Sequence, residues 1–281
     1  MFKDGWFYET YLGASIALQV KEHLYTGKSK YQKIDVFQTD TVGKVLLLDD
    51  ILMTTDKDEF YYHESIAHIS MSMHPNPKKI MVIGGGDGGT AREALKYKSV
   101  EEVEMVEIDE EVINVSKKYF PQIASELENP KLKIKVNDAI EYVKNAKEGY
   151  YDAILCDSTD PEGFAAGLIS KEFYTNASKA LKEDGIYISQ SGSIVLQEKE
   201  FKTALENMRS AFKYVDAAIS VIPCYPCTVW AFLIGSNKPI DRKVKSIPSG
   251  KLKYWSPELQ EKLFIKPVWL QEKYFDFQKV N

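Results

Sequence analysis

Five acidic residues each stand at the end of a predicted strand, and their convergence indicates a site for a cation. They are Asp87, Glu107, Asp138, Asp157 and Asp160. In an open parallel sheet, ligands bind in the crevice outside the carboxyl ends of the strands. Carboxylates that meet there repel one another unless a cation neutralises them. The pattern therefore predicts a pocket for a metal ion, an organic polyamine or a sulfonium group.

A glycine-rich turn between residues 84 and 89 carries the first of these acids. Glycine lets the backbone turn tightly and approach a ligand where a Cβ would clash, so Gly84 and Gly86 are candidate ligand contacts. Asp87 would repel a phosphate or a carboxylate, which predicts that the ligand presents a cationic group to the turn. The alternative is that Asp87 only caps the following helix, for which Thr90 is the candidate N-cap.

Glu107 ends the second predicted strand, at the distance from the glycine turn that is typical of a nucleoside site. An acid at this position hydrogen-bonds ribose hydroxyls in doubly wound sheets. The glycine turn and the acid together predict that a nucleoside binds here. A solvated carboxylate at a strand end is the alternative.

Asp157 and Asp160 form an Asp-x-x-Asp pair that could instead hold magnesium beside a nucleotide phosphate. The glycine turn has no Lys or Ser placed as in a phosphate loop, which favours an organic cation and no metal. A second candidate motif, Cys224 with Cys227, lies late in the chain between two apolar runs. It is predicted to be a strand turn rather than a redox or zinc site.

Apolar runs alternate with helical patterns from residue 59 onward. Such alternation predicts a parallel sheet with helical crossovers, whereas the last two strands, joined by a short turn, must be antiparallel. The expected fold class is α/β with a Rossmann-like doubly wound sheet. The predicted strands cover 80–83, 101–109, 132–136, 151–161, 186–190, 217–222 and 229–234. The predicted helices cover 59–70, 91–95, 110–120, 139–146, 171–182 and 198–212.

The first part of the chain is rich in strands and turns instead. Segments 15–20, 31–38, 45–48 and 51–54 predict antiparallel hairpins. Such strands cannot bury both faces alone, so they are expected to pack on the main domain or on another copy of themselves. We therefore predict a small N-terminal antiparallel β-hairpin domain at 1–58 and a Rossmann-like catalytic domain at 59–281.

Composition excludes several classes of protein. The 281 residues are 44% hydrophobic and 27% charged, which is typical of a soluble globular protein. No apolar stretch approaches the ~18 residues of a membrane helix, and the first residues lack the apolar region of a secretory signal. A cytoplasmic location is expected. The net charge of −5 disfavours nucleic acid as a partner.

Taken together, the motifs resemble those of the spermidine synthase (aminopropyltransferase) family. The matching stretches are Asp-Glu-Phe-Tyr-Tyr-His-Glu at 58–64, His-Pro-Asn-Pro at 74–77, the glycine turn at 84–89, Glu-Ile-Asp at 107–109, Asp-Ser-Thr-Asp-Pro at 157–161 and Tyr-Pro at 225–226. The family transfers the aminopropyl group of decarboxylated S-adenosylmethionine to putrescine, giving spermidine and methylthioadenosine. The resemblance implies the fold of S-adenosylmethionine-dependent methyltransferases, a homodimer or homotetramer formed through the β-domain, small-molecule substrates, and neither a metal nor a tightly bound cofactor.

The resemblance also implies a role for each matching residue. Asp157 would take a proton from the attacking amine, and Asp160 and Tyr62 would align that amine. Asp87 would select a bare propylammonium over the carboxylate of intact S-adenosylmethionine. The other implied cofactor contacts are Gln32, Gly84, Gly86, Glu107, Ile108, Asp138, Ala139 and Phe164. The implied substrate contacts are His63, Asp157, Asp160, Tyr225 and Trp230. Alternatively, His63 is a satisfied buried histidine, and Tyr62 and Tyr225 are core aromatics.

Four places depart from the family pattern, and they are expected to surround the amine side of the site. They are Phe164 in place of a Gly-Pro step, Thr228 at the end of Tyr-Pro-Cys-Thr, the stretch 190–194 without an aromatic residue, and Gln260 in place of a His. Agmatine, cadaverine or a longer polyamine are therefore alternative acceptors. A small-molecule methyltransferase is disfavoured by Asp87, and a non-catalytic binding module by the intact Asp157 and Asp160 pair.

Overall fold

A computed structural model describes residues 2–11 and 13–275, which form two sheets. The outer ends of the two predicted domains, residues 1 and 276–281, lie outside the described residues, as does residue 12. The first sheet has six strands in chain order, each antiparallel to the next. They are β1 (Phe2–Lys3), β2 (Trp6–Tyr11), β3 (Ala14–Lys28), β4 (Lys33–Thr39), β5 (Lys44–Leu48) and β6 (Ile51–Thr55). The predicted hairpins are confirmed, and β1 and β2 extend the sheet beyond the prediction.

The second sheet has seven strands. They are β7 (Lys79–Gly84), β8 (Glu102–Glu107), β9 (Leu132–Val136), β10 (Tyr151–Asp157), β11 (Leu181–Ser193), β12 (Tyr214–Val221) and β13 (Val229–Ser236). Their order is β12-β13-β11-β10-β7-β8-β9. The first five strands in chain order pair in parallel, and β13 is antiparallel to both its neighbours. This topology confirms the predicted Rossmann-like sheet of the methyltransferase type.

Helices cover both faces of this sheet. They are α1 (Glu59–Met71), α2 (Gly89–Leu95), α3 (Glu110–Tyr119), α4 (Ala139–Lys144), α5 (Lys171–Ala180), α6 (Glu198–Ala211), α7 (Pro257–Gln260) and α8 (Val268–Leu270). One buried cluster joins the sheet to α1 and α2, and another joins its other face to α4, α5 and α6. On α5, Phe173, Tyr174, Ala177 and Ala180 are buried at the spacing of one helix face. Within the described ranges, no helix is both long and apolar enough to cross a membrane.

Strand β5 is covered on both faces, which couples the two sheets. Leu46 and Leu48 belong to a buried cluster with Val112 of α3, whereas Val45 and Leu47 pack with residues of the first sheet. Because successive side chains of a strand point to opposite faces, this division follows the pleat. The expectation that the first strands pack on the main domain is thereby met.

Two local predictions were wrong. The helix predicted at 171–182 ends at Ala180, because Leu181 pairs with Tyr151 of β10 and β11 begins there instead of at residue 186. Thr90 is not an N-cap: α2 begins at Gly89, and its N-cap is Gly88 with φ of 87°. Glycine adopts this left-handed conformation without steric cost, so the helix begins two residues earlier than predicted.

Candidate active site

The glycine turn after β7 brings the ends of neighbouring strands together. Gly85 N donates to the main-chain oxygen of Asp157 over 2.9 Å, and a Cβ on Gly84 would clash with that oxygen. A Cβ on Gly86 would lie 2.9 Å from Oε2 of Glu107. The strand order reverses between β7 and β10, and this switch point is where ligands bind in doubly wound sheets. The glycines therefore shape the crevice that the sequence predicted.

Both carboxylate oxygens of Asp157 are held by hydroxyl groups. Tyr62 Oη donates to Oδ1 over 2.7 Å, and Thr90 Oγ1 donates to Oδ2 over 2.7 Å. Burial raises the pKa of Asp157 above its ordinary value and the nearby Asp87 raises it further, although His63 and the two hydroxyls act in the opposite direction. Asp157 is thus an oriented carboxylate with an increased affinity for a proton.

The two carboxylate oxygens of Asp87 make different contacts within the protein. Oδ1 accepts a hydrogen bond from Gly89 N over 2.8 Å, as a helix-capping acid does. Oδ2 lies 3.2 Å from Nε2 of His63, whose Nδ1 lies 2.6 Å from Oε2 of Glu59. Burial opposes protonation of His63, but the Asp87 and Glu59 carboxylates raise its pKa well above the ordinary value. His63 is therefore a satisfied buried histidine that also lines the pocket.

Two further carboxylates, those of Asp160 and Glu9, line the pocket. Burial raises the pKa of Asp160, although hydrogen bonds from Gln197 and Gln190 lower it. Glu9 reaches the pocket from β2 and accepts a hydrogen bond from Leu52 N over 3.0 Å. Burial raises the pKa of Glu9 to about 7, and the charge of Asp160 contributes to the increase.

Glu9 was missed by sequence reasoning, although a signal was present. In β2, Phe7 and Glu9 are buried while Tyr8 between them is exposed. Alternate residues of a strand share one face, so Glu9 stands on the same face as a core phenylalanine. An acid on the buried face of an alternating strand is a candidate functional residue.

The predicted nucleoside residues lie near the ends of β8 and β9. Glu107 is 8% exposed, its Oε1 accepts a hydrogen bond from Asp109 N over 2.9 Å, and burial raises its pKa to about 7. Gln32 Nε2 donates to Oδ2 of Asp109 over 2.9 Å, which orients the Gln32 side chain. Asp138 caps α4 by accepting from Ile140 N over 2.8 Å. Each of these three side chains therefore makes a hydrogen bond within the protein, which fixes its orientation at the pocket.

Aromatic side chains form another wall of the pocket. The Tyr225 ring lies 4.6 Å from the Trp230 ring and 5.9 Å from the Tyr62 ring, between ring centres. Tyr225 Oη donates to Met53 O over 2.7 Å, so this hydroxyl presents lone pairs rather than its hydrogen to other groups. Trp230 Nε1 donates to Oε1 of Gln190 over 3.1 Å.

The structure brings every sequence-predicted site residue into one pocket. Its lining includes Gln32, Tyr62, His63, Gly84, Gly86, Asp87, Glu107, Ile108, Asp138, Ala139, Asp157, Asp160, Phe164, Tyr225 and Trp230. Gln190 and Ser193, within the unusual stretch 190–194, also line it. Gln260 does not surround the amine side as expected: it is fully buried, donates to Ile69 O over 2.9 Å and accepts from Trp255 Nε1 over 2.7 Å.

Among the described residues, one group of side chains in this pocket could hold a small cation. His63, Asp87 and Asp157 offer ligand atoms that all lie within 4.8 Å of one another. An imidazole and two carboxylates would suit a divalent metal, and the carboxylates would equally suit an ammonium group. The geometry alone is compatible with either kind of cation.

Comparisons with known proteins give a consistent family. Residues 59–244 match the spermine/spermidine synthase domain, and residues 5–56 match the spermidine synthase tetramerisation domain. The polyamine aminopropyltransferase of Alkaliphilus metalliredigens is 41% identical over 265 residues, which cover 92% of this chain and 93% of that protein. The polyamine aminopropyltransferase of Moorella thermoacetica is 39% identical over 260 residues, 92% of each chain.

Solved structures agree with this assignment. A spermidine synthase in complex with the transition-state analogue AdoDATO has a TM-score of 0.93 and 34% sequence identity, covering 97% of this chain and 96% of that one. Spermidine synthase from Thermotoga maritima has a TM-score of 0.90 and 35% identity, covering 96% and 94%. The chain therefore belongs to the spermine/spermidine synthase family and is a polyamine aminopropyltransferase.

Proposed function

We propose that this enzyme transfers the aminopropyl group of decarboxylated S-adenosylmethionine to putrescine, giving spermidine and 5′-methylthioadenosine. The observation that carries the proposal is the Asp157 carboxylate, which lies beside Asp87 of the glycine turn and is oriented by hydrogen bonds from Tyr62 and Thr90. One acid can serve as a base while the other contacts the cation being transferred. The similar spermidine synthase structure with AdoDATO supports a transfer of this kind.

The cofactor side of the pocket suits a decarboxylated nucleoside sulfonium. Asp87 would contact the propylammonium, whereas the carboxylate of intact S-adenosylmethionine would be repelled there. Glu107 would accept hydrogen bonds from the ribose hydroxyls. Asp138 would accept from the adenine amino group. The remaining proposed cofactor contacts are Gln32, Gly84, Gly86, Ile108, Ala139 and Phe164.

The reaction requires a neutral amine, whereas an aliphatic amine is protonated at neutral pH. We assign Asp157 as the base that takes one proton from the attacking ammonium group. The amine nitrogen then forms a bond to the carbon next to sulfur, the carbon–sulfur bond breaks, and its electron pair converts the sulfonium to a neutral thioether. Because the sulfonium is already an activated leaving group, positioning supplies much of the rate enhancement.

The acceptor side suits a diamine with a second cationic end. Asp160 and Glu9 both line the pocket and have raised pKa values, and a bound ammonium group would favour their ionised forms. Tyr225 presents lone pairs that can accept from an amine, and Trp230 limits the width of the pocket. A four-carbon diamine is the acceptor we propose, with His63 at the aminopropyl end.

Other properties of the enzyme stay predictions. They are the division into domains at 1–58 and 59–281, assembly as a homodimer or homotetramer, a cytoplasmic location, and the lack of a metal, a tightly bound cofactor or a nucleic-acid partner. The match of residues 5–56 to a tetramerisation domain supports the prediction of an oligomer.

A turnover assay tests the proposal directly. The purified enzyme is given decarboxylated or intact S-adenosylmethionine with putrescine, agmatine, cadaverine or spermidine, and the release of methylthioadenosine is measured. Release only with the decarboxylated cofactor and putrescine is expected. Preference for another amine would overturn the assignment of putrescine but not that of the cofactor, and methylation by the intact cofactor would refute the aminopropyl transfer.

The Asp157→Asn variant separates an enzyme from a binding module. It should lose at least about a hundredfold in turnover, because a positioned base contributes roughly 10²–10⁴ to the rate. Binding of decarboxylated S-adenosylmethionine, measured by calorimetry, should be kept. Retention of most activity would contradict the assignment of Asp157 as the base.

A further inference from the structure

A buried row of alternating charges leads away from Asp87. Oδ2 of Asp87 lies 3.2 Å from Nε2 of His63, and Nδ1 of His63 lies 2.6 Å from Oε2 of Glu59. The same Oε2 accepts a hydrogen bond from an Nη atom of Arg92 over 2.7 Å. Asp87 belongs to the turn after β7, His63 and Glu59 are one turn apart on α1, and Arg92 is on α2. The row therefore connects three segments of the chain, beginning at Asp87 and His63 in the lining of the pocket.

His63 has a carboxylate at each ring nitrogen. A neutral imidazole carries one N–H and can donate to only one of two acceptors, whereas an imidazolium donates to both. His63 is 2% exposed and Glu59 is 6% exposed, so a ring nitrogen or carboxylate left without its partner would be a buried polar group that is costly to leave unpaired. The charged groups around the ring are Glu59 from α1, Asp87 from the turn, Asp157 from β10 and Arg92 from α2. This arrangement favours the doubly protonated ring.

The surroundings of His63 leave no room for the ring to move toward α2. A Cβ on Gly89 would clash with the imidazole ring, so Gly89 provides the space that the ring occupies. Arg92 in turn is held by a second carboxylate, since its Nε donates to Oε1 of Glu93 over 2.9 Å. Glu59 is thus held between His63 and Arg92, and Arg92 is held in turn by Glu93.

We propose that Glu59 is a positioning residue for the cofactor site: it holds His63 as an imidazolium directed at Asp87, and Arg92 holds Glu59 in place. The inference rests on the proposed contact between Asp87 and the propylammonium of the cofactor. With His63 protonated, the group of Asp87, Asp157 and His63 has a net charge of −1 when both acids are ionised. That charge matches a single ammonium group.

Loss of the imidazolium would disturb the base as well as the cofactor contact. Asp87 raises the proton affinity of Asp157, and the His63 cation opposes this effect. Two close carboxylates without a neighbouring cation tend to share a proton. A neutral His63 would therefore leave part of Asp157 protonated at a pH where the native enzyme has it ionised.

Nuclear magnetic resonance of the free enzyme tests the state of His63 without any substrate. The chain has four histidines, so the ring-nitrogen signals of a ¹⁵N-labelled sample can be assigned by single substitutions. Between about pH 6 and pH 9, the native His63 should keep the chemical shifts of an imidazolium, whereas in Glu59→Gln it should titrate to the neutral form. A neutral His63 ring in the native enzyme at pH 7, or an unchanged titration in the variant, would overturn the proposal.

Glu93→Gln is the matched control, because Glu93 contacts the same arginine through Nε rather than through the Nη atom that donates to Glu59, and its carboxylate lies 3.0 Å from His68 Nε2. Its substitution should change the His68 signals and leave those of His63 unchanged. If Glu59→Gln does not fold, Arg92→Lys replaces it, because lysine keeps the charge but lacks the guanidinium Nη atom that donates to Glu59. In Arg92→Lys, the titration of the His63 ring-nitrogen signals should change in the same direction by a smaller amount. An unchanged titration would count against the proposal.

Kinetics supply the second measurement. In Glu59→Gln, the KM for decarboxylated S-adenosylmethionine should rise about tenfold, while the KM for the diamine changes less than about twofold. The acidic limb of the pH profile of kcat should shift to higher pH by about one unit. Equal changes in both KM values would contradict a positioning role. If the resonance spectra of the native enzyme show an imidazolium but the turnover assay shows no activity, the proposed function is refuted and this inference is not. If the native enzyme turns over normally but its His63 is neutral, this inference is refuted and the proposed function is not.

Discussion

Tyr62 Oη donates a 2.7 Å hydrogen bond to Oδ1 of Asp157 across 95 positions of the chain. Tyr62 lies in the first turn of α1, and Asp157 is the last residue of β10. A hydrogen bond to an ionised carboxylate stabilises the charged form. The contact therefore influences both the direction and the proton affinity of the proposed base.

Tyr62→Phe should move the acidic limb of kcat to higher pH. Asp157 acts as a base only when ionised, so activity falls as the pH decreases through its pKa, which burial already raises. Removal of the Tyr62 hydroxyl removes a contribution that lowers this pKa, so the limb should rise by about one pH unit and kcat at neutral pH should fall. The measurement is kcat as a function of pH.

Tyr61→Phe is the control for this variant. Tyr61 adjoins Tyr62 on α1, but its ring packs against Phe60 and Tyr254, with ring centres 4.7 and 4.6 Å away. Its substitution should leave the pH profile unchanged. A Tyr62→Phe profile that coincides with that of the native enzyme would contradict the role assigned to the hydroxyl.

Glu9→Gln should remove a decrease in the free energy of unfolding that occurs as the pH rises. Burial raises the pKa of Glu9 to about 7 from an ordinary value of 4.5. Between these values the unfolded chain releases the proton while the folded chain keeps it, so the free energy of unfolding falls as the pH rises. The variant should therefore be more stable than the native protein at about pH 8, by up to roughly 3 kcal/mol, and the difference should shrink toward about pH 5.

Urea unfolding at the two pH values measures this effect. Glu22→Gln makes the same change in charge at an exposed position of β3 and should not alter the pH dependence. A Glu9→Gln protein whose advantage is equal at both pH values would show that Glu9 is ionised in the folded state throughout.

Gly84→Ala should destabilise the protein through two effects. Gly84 has φ of 73°, which is unfavourable for alanine, and the added Cβ would clash with the main-chain oxygen of Asp157. The backbone strain costs about 1–3 kcal/mol and the steric conflict about 1–3 kcal/mol more. The measurement is the free energy of unfolding together with methylthioadenosine release.

Gly149→Ala isolates the first of these effects. Gly149 has φ of 63°, but an added Cβ would meet nothing within 4 Å. Its loss of stability should be the smaller one, with activity unchanged. Equal losses for the two variants would mean that the turn after β7 can move away from β10.

Removal of metal ions should leave turnover unchanged within about twofold. We propose that the cation beside Asp87 and Asp157 is the substrate ammonium group, with His63 supplying a further positive charge. Dialysis against a chelator followed by the turnover assay tests this expectation. A loss of activity that a divalent metal restores would instead assign the His63, Asp87 and Asp157 cluster to that metal.

The elements that the sequence predicted best are those with a strong local pattern. The strand predicted at 132–136 is β9 with the same bounds, and α1 begins at Glu59 as expected. Apolar runs, helical periodicity and Pro or Gly punctuation act over a few residues and are visible without the fold. The start of β11 was misplaced because Leu181 is drawn into a strand by Tyr151, a partner 30 positions away.

The sequence by itself determined the succession of strands and helices from residue 14 to residue 236, the glycine turn and the acids at the strand ends, and hence the fold class and the family. Only the tertiary structure decided which charged and polar groups face one another. Thr90 meets Asp157, His63 lies between Glu59 and Asp87, and Glu9 enters the pocket from the other sheet. Most of these contacts join residues far apart in the chain, so they depend on sheet order, helix packing and burial rather than on any local spacing.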